Sequence, residues 1–207
     1  MAAAVEPLVL DVAIVGAGLA GAALARQLVQ RGQRVAVLEA RERIGGRVLT
    51  QACPATGLAL DLGPSWFWPA TEPRTAALLQ ALGLDSFAQH DPGDALWLTD
   101  PNRAPERRAG SAGSVHAGAH RITGGTGRLV QALAAALAEG RARTGQAVQA
   151  VRDRGATIEL LAGGGRGPRA RRVVRALPPR LVHERIAFDP PLPDALAQAL
   201  AAVPTWM

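Results

Sequence analysis

The residues that most restrict the fold are Gly16-Ala17-Gly18-Leu19-Ala20-Gly21, because of what flanks them. Residues 10–15 (LDVAIV) are short, apolar and rich in β-branched side chains, as a buried parallel strand requires. Residues 20–31 (AGAALARQLVQR) place Leu24, Leu28 and Val29 at helical spacing, and Gly32 is a good stop. Residues 34–38 (RVAVL) read as a second strand ending at Glu39. Strand, glycine loop, helix and strand within roughly 30 residues make one β-α-β unit of a dinucleotide-binding sheet. Gly16 permits the tight turn, Gly18 lets backbone N–H groups approach a diphosphate, and Gly21 lets the helix pack close to the strand. The helix N-terminus then offers unpaired N–H donors and a positive dipole end to phosphate oxygens.

The next residues choose among dinucleotides. Glu39 follows Gly21 at close to the spacing, about 20 residues, of the acid that accepts from both ribose hydroxyls. An acid there disfavours a 2′-phosphorylated cofactor. Behind it comes Arg41-Glu42-Arg43-Ile44-Gly45-Gly46-Arg47-Val48, a polar turn with a glycine pair. The pair gives an open backbone, and Arg47 supplies a charge for a diphosphate or a flavin edge. With Glu39 and Ala40 this stretch resembles the second fingerprint of FAD-dependent oxidoreductases, which a simple nicotinamide dehydrogenase has no reason to carry, and the resemblance implies FAD as the ligand.

Farther on, residues 58–63 look strand-like, 64–70 (PSWFWPA) form an aromatic loop and 74–83 a short helix. Residues 99–120, rich in Pro, Gly, Arg and Ser, read as a loop and a candidate domain crossing. A helix is expected over 127–139, strands over 146–152, 156–162 and 172–177, a turn over 163–168 and a last helix over 194–202.

From the glycine loop and Glu39 through the Gly45-Gly46-Arg47 turn, the chain resembles the flavin-containing amine oxidase family. Four later stretches carry the resemblance further. They are Asp61-Leu62-Gly63-Pro64-Ser65-Trp66, His120-Arg121-Ile122-Thr123-Gly124-Gly125-Thr126-Gly127-Arg128-Leu129, Arg172-Val173-Val174-Arg175-Ala176-Leu177-Pro178-Pro179 and Phe188-Asp189-Pro190-Pro191-Leu192-Pro193. The resemblance implies an α/β fold: a Rossmann-like FAD-binding domain (1–66 and 116–179) with a partial, discontinuous substrate domain (67–115 and 180–207). It implies FAD contacts from Gly16, Ala17, Gly18, Ala20, Gly21, Glu39, Ala40, Arg41, Gly45, Gly46 and Arg47, and from Gly63, Pro64, Ser65 and Trp66 near the flavin ring. Val148 matches a family strand whose backbone reaches the adenine; it reads equally well as an ordinary buried valine. Phe67 reads as packing, and Trp68 is compatible with either role. The implied activity is transfer of hydride from an amine to FAD with oxygen as acceptor.

The end at Pro204-Thr205-Trp206-Met207 resembles the middle of a family member. The family's C-terminal half, with a lysine near the flavin, is therefore expected to be missing; the sequence contains no lysine. The alternatives are a non-catalytic FAD-binding fragment or one subunit completed by a second chain. The apolar end around Val203 and Trp206 would then lack its continuing partner. Arg175 puts a charge where the family strand is usually apolar, which suggests a sheet edge.

Composition excludes several other classes. The net charge of +6 comes entirely from 23 scattered arginines. The tightest group, Arg166, Arg169, Arg171, Arg172 and Arg175, has no interleaved aromatics, so it reads as a solvated, strand-flanking segment, not a nucleic-acid platform. The lone Cys53 cannot form a disulfide within the chain and reads as a buried or idle thiol. His116 and His120 fall in a glycine-rich stretch that argues against a shared metal. Asp11 interrupts the apolar run at 8–25, and the start lacks the basic residues of a secretory signal. No membrane partner and a cytoplasmic location are expected.

Overall fold

A computed structural model of the chain describes residues 9–90, 92–110, 114, 116–135, 137 and 141–204. In chain order the elements are β1 (Leu10–Val15), α1 (Leu19–Gln30), β2 (Val35–Leu38), β3 (Thr50–Ala52), β4 (Ala59–Asp61), α2 (Pro73–Ala81), β5 (Ser86–Ala88), β6 (Ala95–Trp97), β7 (Glu106–Arg108) and β8 (His120–Ile122). There follow α3 (Gly127–Ala135), β9 (Ala142–Arg143), β10 (Val148–Asp153), β11 (Ile158–Ala162), β12 (Gly165–Arg175), α4 (Pro179–Arg185), β13 (Ala187–Asp189) and α5 (Asp194–Ala202). The chain divides into two units, residues 1–48 with 130–207 and residues 49–129.

The first unit is built on a seven-stranded sheet in the order β13-β10-β11-β12-β1-β2-β9. β12, β1, β2 and β9 run parallel, whereas β10, β11 and β12 form an antiparallel meander. β1 is buried on both faces. Ala13 and Val15 join Leu38, Val148, Leu160 and Ala170, while Val12 and Ile14 pack with Ala25, Val35, Val37 and the flanking Leu24, Leu28 and Val29 of α1. That two-sided burial explains the unbroken apolar run.

Three expectations are corrected here. The turn expected over 163–168 is only Gly163-Gly164, since Ala162 already pairs with Gly165. Both glycines have positive φ (59° and 78°), the backbone that a two-residue hairpin loop demands. Arg166, Arg169, Arg171, Arg172 and Arg175 are solvent-exposed as expected, but they lie within β12 and do not flank it. Arg175 is not on an edge strand: β12 is fourth of seven, and the guanidinium lies 5.2 Å over the Phe188 ring.

The second unit contains three two-stranded ladders, β3-β4, β5-β8 and β6-β7, with α2. The loop expected over 99–120 therefore holds β7 and the first residue of β8. Val203 is exposed (41%); Trp206, Met207 and the end of the helix expected to reach 139 lie outside the described residues. No helix among the described residues is long and apolar enough to cross a membrane.

One ion pair staples β1 to the start of β2. Arg34 donates to both carboxylate oxygens of Asp11, at 3.1 and 3.0 Å, and its backbone N–H donates as well. The Arg34 hydrogen bonds hold the Asp11 carboxyl down at about 2. A depressed carboxyl stabilises the fold above its unfolded value and loses that contribution as pH falls through the folded value. The difference in melting temperature between wild type and Asp11→Asn is expected to be constant above roughly pH 5 and to shrink progressively as pH falls through about 2. Circular dichroism melts across that range test it; a difference independent of pH would contradict it.

Candidate cofactor-binding site

The site begins where β1 turns into α1. Gly16 has φ 104°, and a Cβ there would lie 2.7 Å from the Ala176 carbonyl oxygen. A Cβ on Gly21 would lie 2.0 Å from the Gly16 carbonyl oxygen, so the helix approaches the turn more closely than any side chain allows. Gly18 differs: a Cβ there would meet nothing nearer than the Gly46 Cα at 4.0 Å. Packing within the chain therefore requires glycine at 16 and 21 but leaves position 18 open. Gly18 is the N-cap of α1, with no side-chain cap and no acidic residue in the first turn. The first N–H donors of the helix are left for an outside acceptor, and Ala20 in that turn is exposed. A bare glycine over an uncapped helix start fits the close approach of a diphosphate.

Glu39 is buried at the end of β2, 8% exposed. Its Oε2 accepts from the Ala17 N–H at 2.8 Å and its Oε1 from the Arg41 N–H at 3.0 Å. The carboxylate thus ties the glycine loop to the second motif. A carboxylate offers about four lone-pair sites, so both oxygens retain capacity for ribose hydroxyls. Ala40, beside it, is exposed. The second turn sits against the first: Gly45 N–H donates to the Ala17 carbonyl at 2.8 Å, and Gly18 and Gly45 form a parallel bridge.

The arginines divide. Arg41 donates to the Gly46 carbonyl at 3.1 Å. Arg43 donates to the carbonyls of Ile44, Val48 and Gly46. Arg47 is exposed and makes no hydrogen bond or ion pair among the described residues, so its charge is free for a ligand. The backbone ahead of β10 also joins the site. Gly145 N–H donates to the Arg41 carbonyl and Gln146 N–H to that of Glu39, at 3.0 and 2.8 Å. Val148, two residues on, is buried in the sheet core (7%). Sequence reading missed this adjacency and the role of Arg43; the short spacing of Arg41, Arg43 and Arg47 was the available signal.

Gly63, Pro64, Ser65 and Trp66 belong to the second unit. Ser65 is buried and donates to the Gly63 carbonyl at 3.2 Å, and Gly63 and Pro64 are exposed. Trp66 is 40% exposed, stacks on His116 with ring centroids 4.3 Å apart and donates from Nε1 to Gln89. Phe67 is buried, as a packing residue should be, and contacts the His120 ring. Trp68 donates to the Ala117 carbonyl at 3.1 Å. The rings of His116 and His120 thus rest on different aromatics. Cys53 is half-buried, not buried, and hydrogen bonding from Thr56 and the backbone lowers its thiol from the ordinary range.

Comparison with known proteins agrees with this geometry. Residues 14–82 match the model of the NAD(P)-binding Rossmann-like domain, and residues 106–206 match that of the flavin-containing amine oxidoreductases. The second of these stretches is similar to the flavin-containing amine oxidoreductases. Putrescine oxidase of Kocuria rosea is 41% identical over 88 residues, 42% of this chain and 18% of that protein. The flavin-containing amine oxidase B of Homo sapiens is 42% identical over 77 residues, 37% of this chain and 14% of that protein. Among solved structures, putrescine oxidase bound to putrescine has a TM-score of 0.79 at 23% identity, covering 93% of this chain and 63% of that one. Cyclohexylamine oxidase from Brevibacterium oxydans superposes equally well, at 21% identity. These likenesses show the fold, and the chain spans under two thirds of either structure. FAD is the cofactor that these likenesses imply.

Proposed function

We propose that this chain binds FAD and forms the nucleotide-binding part of an enzyme that oxidises small amines. The reading rests most heavily on one observation: Gly18 is bare where nothing among the described residues requires it, above an uncapped helix start and beside Arg47, which has no partner among the described residues. In this proposal the α1 N–H groups and Arg47 hold the diphosphate, Glu39 accepts from the ribose, and Gly45 and Gly46 keep the approach clear. Gly63, Pro64, Ser65 and Trp66 are proposed to serve the flavin end, and Val148 the adenine end. The functional partition stays as proposed from sequence, with residues 1–66 and 116–179 serving the cofactor and 67–115 and 180–207 the substrate. Bound FAD supplies the hydride acceptor. The chain's own contribution is to bind the dinucleotide, orient it and shield it.

The proposed substrate class is small amines, because putrescine oxidase and amine oxidase B are among the relatives. A second chain completing the protein has no observation in its favour and is not proposed. Titration of the purified 207-residue chain with FAD, followed by flavin fluorescence, is expected to show saturable binding. ADP should compete, because the diphosphate and ribose contacts are shared. Absence of binding would overturn the reading. Peroxide release from putrescine or benzylamine is expected to be slight; robust turnover would show that these residues already hold the complete catalytic site.

A further inference from the structure

We propose that Arg43 is the positioning residue of this cofactor site, acting on the chain and not on the ligand. The proposal rests on the FAD reading above. Gly45 and Gly46 both have positive φ (107° and 59°), so the second turn is held in a backbone state that only glycine enters freely. Such a turn gathers carbonyl oxygens whose dipoles repel unless a cation meets them. One arm of the Arg43 guanidinium donates to the Ile44 and Val48 carbonyls, both at 3.2 Å, and the other to the Gly46 carbonyl at 2.9 Å. A planar fork of fixed donors spans three carbonyls; the compact ammonium of lysine does not reproduce that geometry.

The position of this turn matters because of what it faces. A Cβ built on Gly46 would lie 3.3 Å from the Gly18 Cα, and Gly45 is hydrogen-bonded to Ala17. Moving the turn by a fraction of an ångström would alter the gap over Gly18. Arg41 reaches the Gly46 carbonyl alone, from an exposed position. Arg47 reaches nothing in the described chain. The three arginines therefore divide the work: Arg47 meets the ligand's charge, Arg43 shapes the cradle, and Arg41 assists.

The test compares FAD and ADP affinity for wild type, Arg43→Lys, Arg43→Met, Arg43→Ala and Arg47→Met at low and at physiological salt. Arg43→Lys and Arg43→Met are expected to weaken both ligands about ten- to hundredfold, as loss of charge-assisted hydrogen bonds implies, while the wild-type salt dependence is kept. Arg47→Met should weaken binding and flatten the salt dependence, because a charge facing phosphate is lost. Low guanidinium should partly restore FAD binding to Arg43→Ala, where sodium chloride of equal ionic strength does not. Arg43→Lys keeps stem and charge, so it carries the test should Arg43→Met fail to fold. Affinity of Arg43→Lys within about twofold of wild type would overturn the proposal alone. So would a flattened salt dependence in the Arg43 variants. A wild-type chain that binds neither FAD nor ADP would overturn the FAD reading, and this proposal with it.

Discussion

Gly21→Ala is expected to destabilise the first unit by at least about 3 kcal/mol and to abolish measurable FAD binding. Two effects oppose each other at this position. Alanine in a helix interior is favoured over glycine by about 1 kcal/mol. Against that, the new Cβ would lie 2.0 Å from the Gly16 carbonyl oxygen and 3.1 Å from its carbon, which is backbone and cannot turn aside. The steric term wins, and relief requires α1 to move off the turn that carries the phosphate-facing N–H groups. Gly18→Ala provides the contrast. With no described atom nearer than 4.0 Å to its Cβ, the loss of stability should be about 1 kcal/mol, the cost of alanine at a helix N-cap. Its FAD affinity should nevertheless fall at least about tenfold, because the methyl group occupies the space the diphosphate needs. Thermal melts paired with FAD titrations separate the two. Equal losses of stability and binding in both variants would show that Gly18 serves packing and not a ligand.

That contrast also shows what the sequence could and could not convey. The strand, glycine loop and helix from Leu10 to Gln30 are set by local periodicity and by positive φ at Gly16, so they were readable. Glu39 was readable through its spacing. The division among Arg41, Arg43 and Arg47 was not, because neighbouring arginines in one turn differ only in where their side chains run. The hairpin at Gly163-Gly164 was overextended for a related reason. Gly165, Gly167 and Pro168 look like loop residues, yet β12 has already begun. Pro168 is tolerated there because the β11–β12 register shifts between Glu159 and Leu161, at a bulge where a ladder N–H is not required. Arg175 misled because a charge suggests an edge, whereas β12 is central in the sheet yet exposed along much of its length, with only Ala170 buried. The ladders at 86–88, 95–97 and 106–108 are three residues long and largely exposed, too short for alternation to register.

Asp61 carries the second large effect, in the unit of residues 49–129. Its Oδ1 accepts from the Thr126 N–H and hydroxyl, both at 2.9 Å, and from the Thr50 hydroxyl. Thr50 Oγ1 in turn accepts from the Gly127 N–H at 2.8 Å. One carboxylate thus binds β3, β4 and the start of α3, and donors at the helix start that have no intrahelical partner are satisfied through it. Gly125 and Gly127 make the approach possible, since a Cβ on either would fall within 3.0 Å of Thr50 side-chain atoms. Asp61→Ala removes a charged acceptor serving three donors. Hydrogen bonds to charged groups contribute about 1.5–3 kcal/mol and a helix cap about 1, not additively, so a loss of about 2–4 kcal/mol is expected. The carboxylate is only half-buried, which places the value in the lower part of that range. Asp61→Asn keeps an amide oxygen in the same position and should lose less than half as much. Hydrogen exchange at the Thr126 and Gly127 amides reads the effect directly, and both should lose protection before the rest of α3. Wild-type exchange at those two amides in Asp61→Ala would mean that the start of α3 does not depend on this carboxylate. The Gly63–Trp66 segment begins two residues after Asp61, so the same variant tests whether that segment hangs from a rigid anchor.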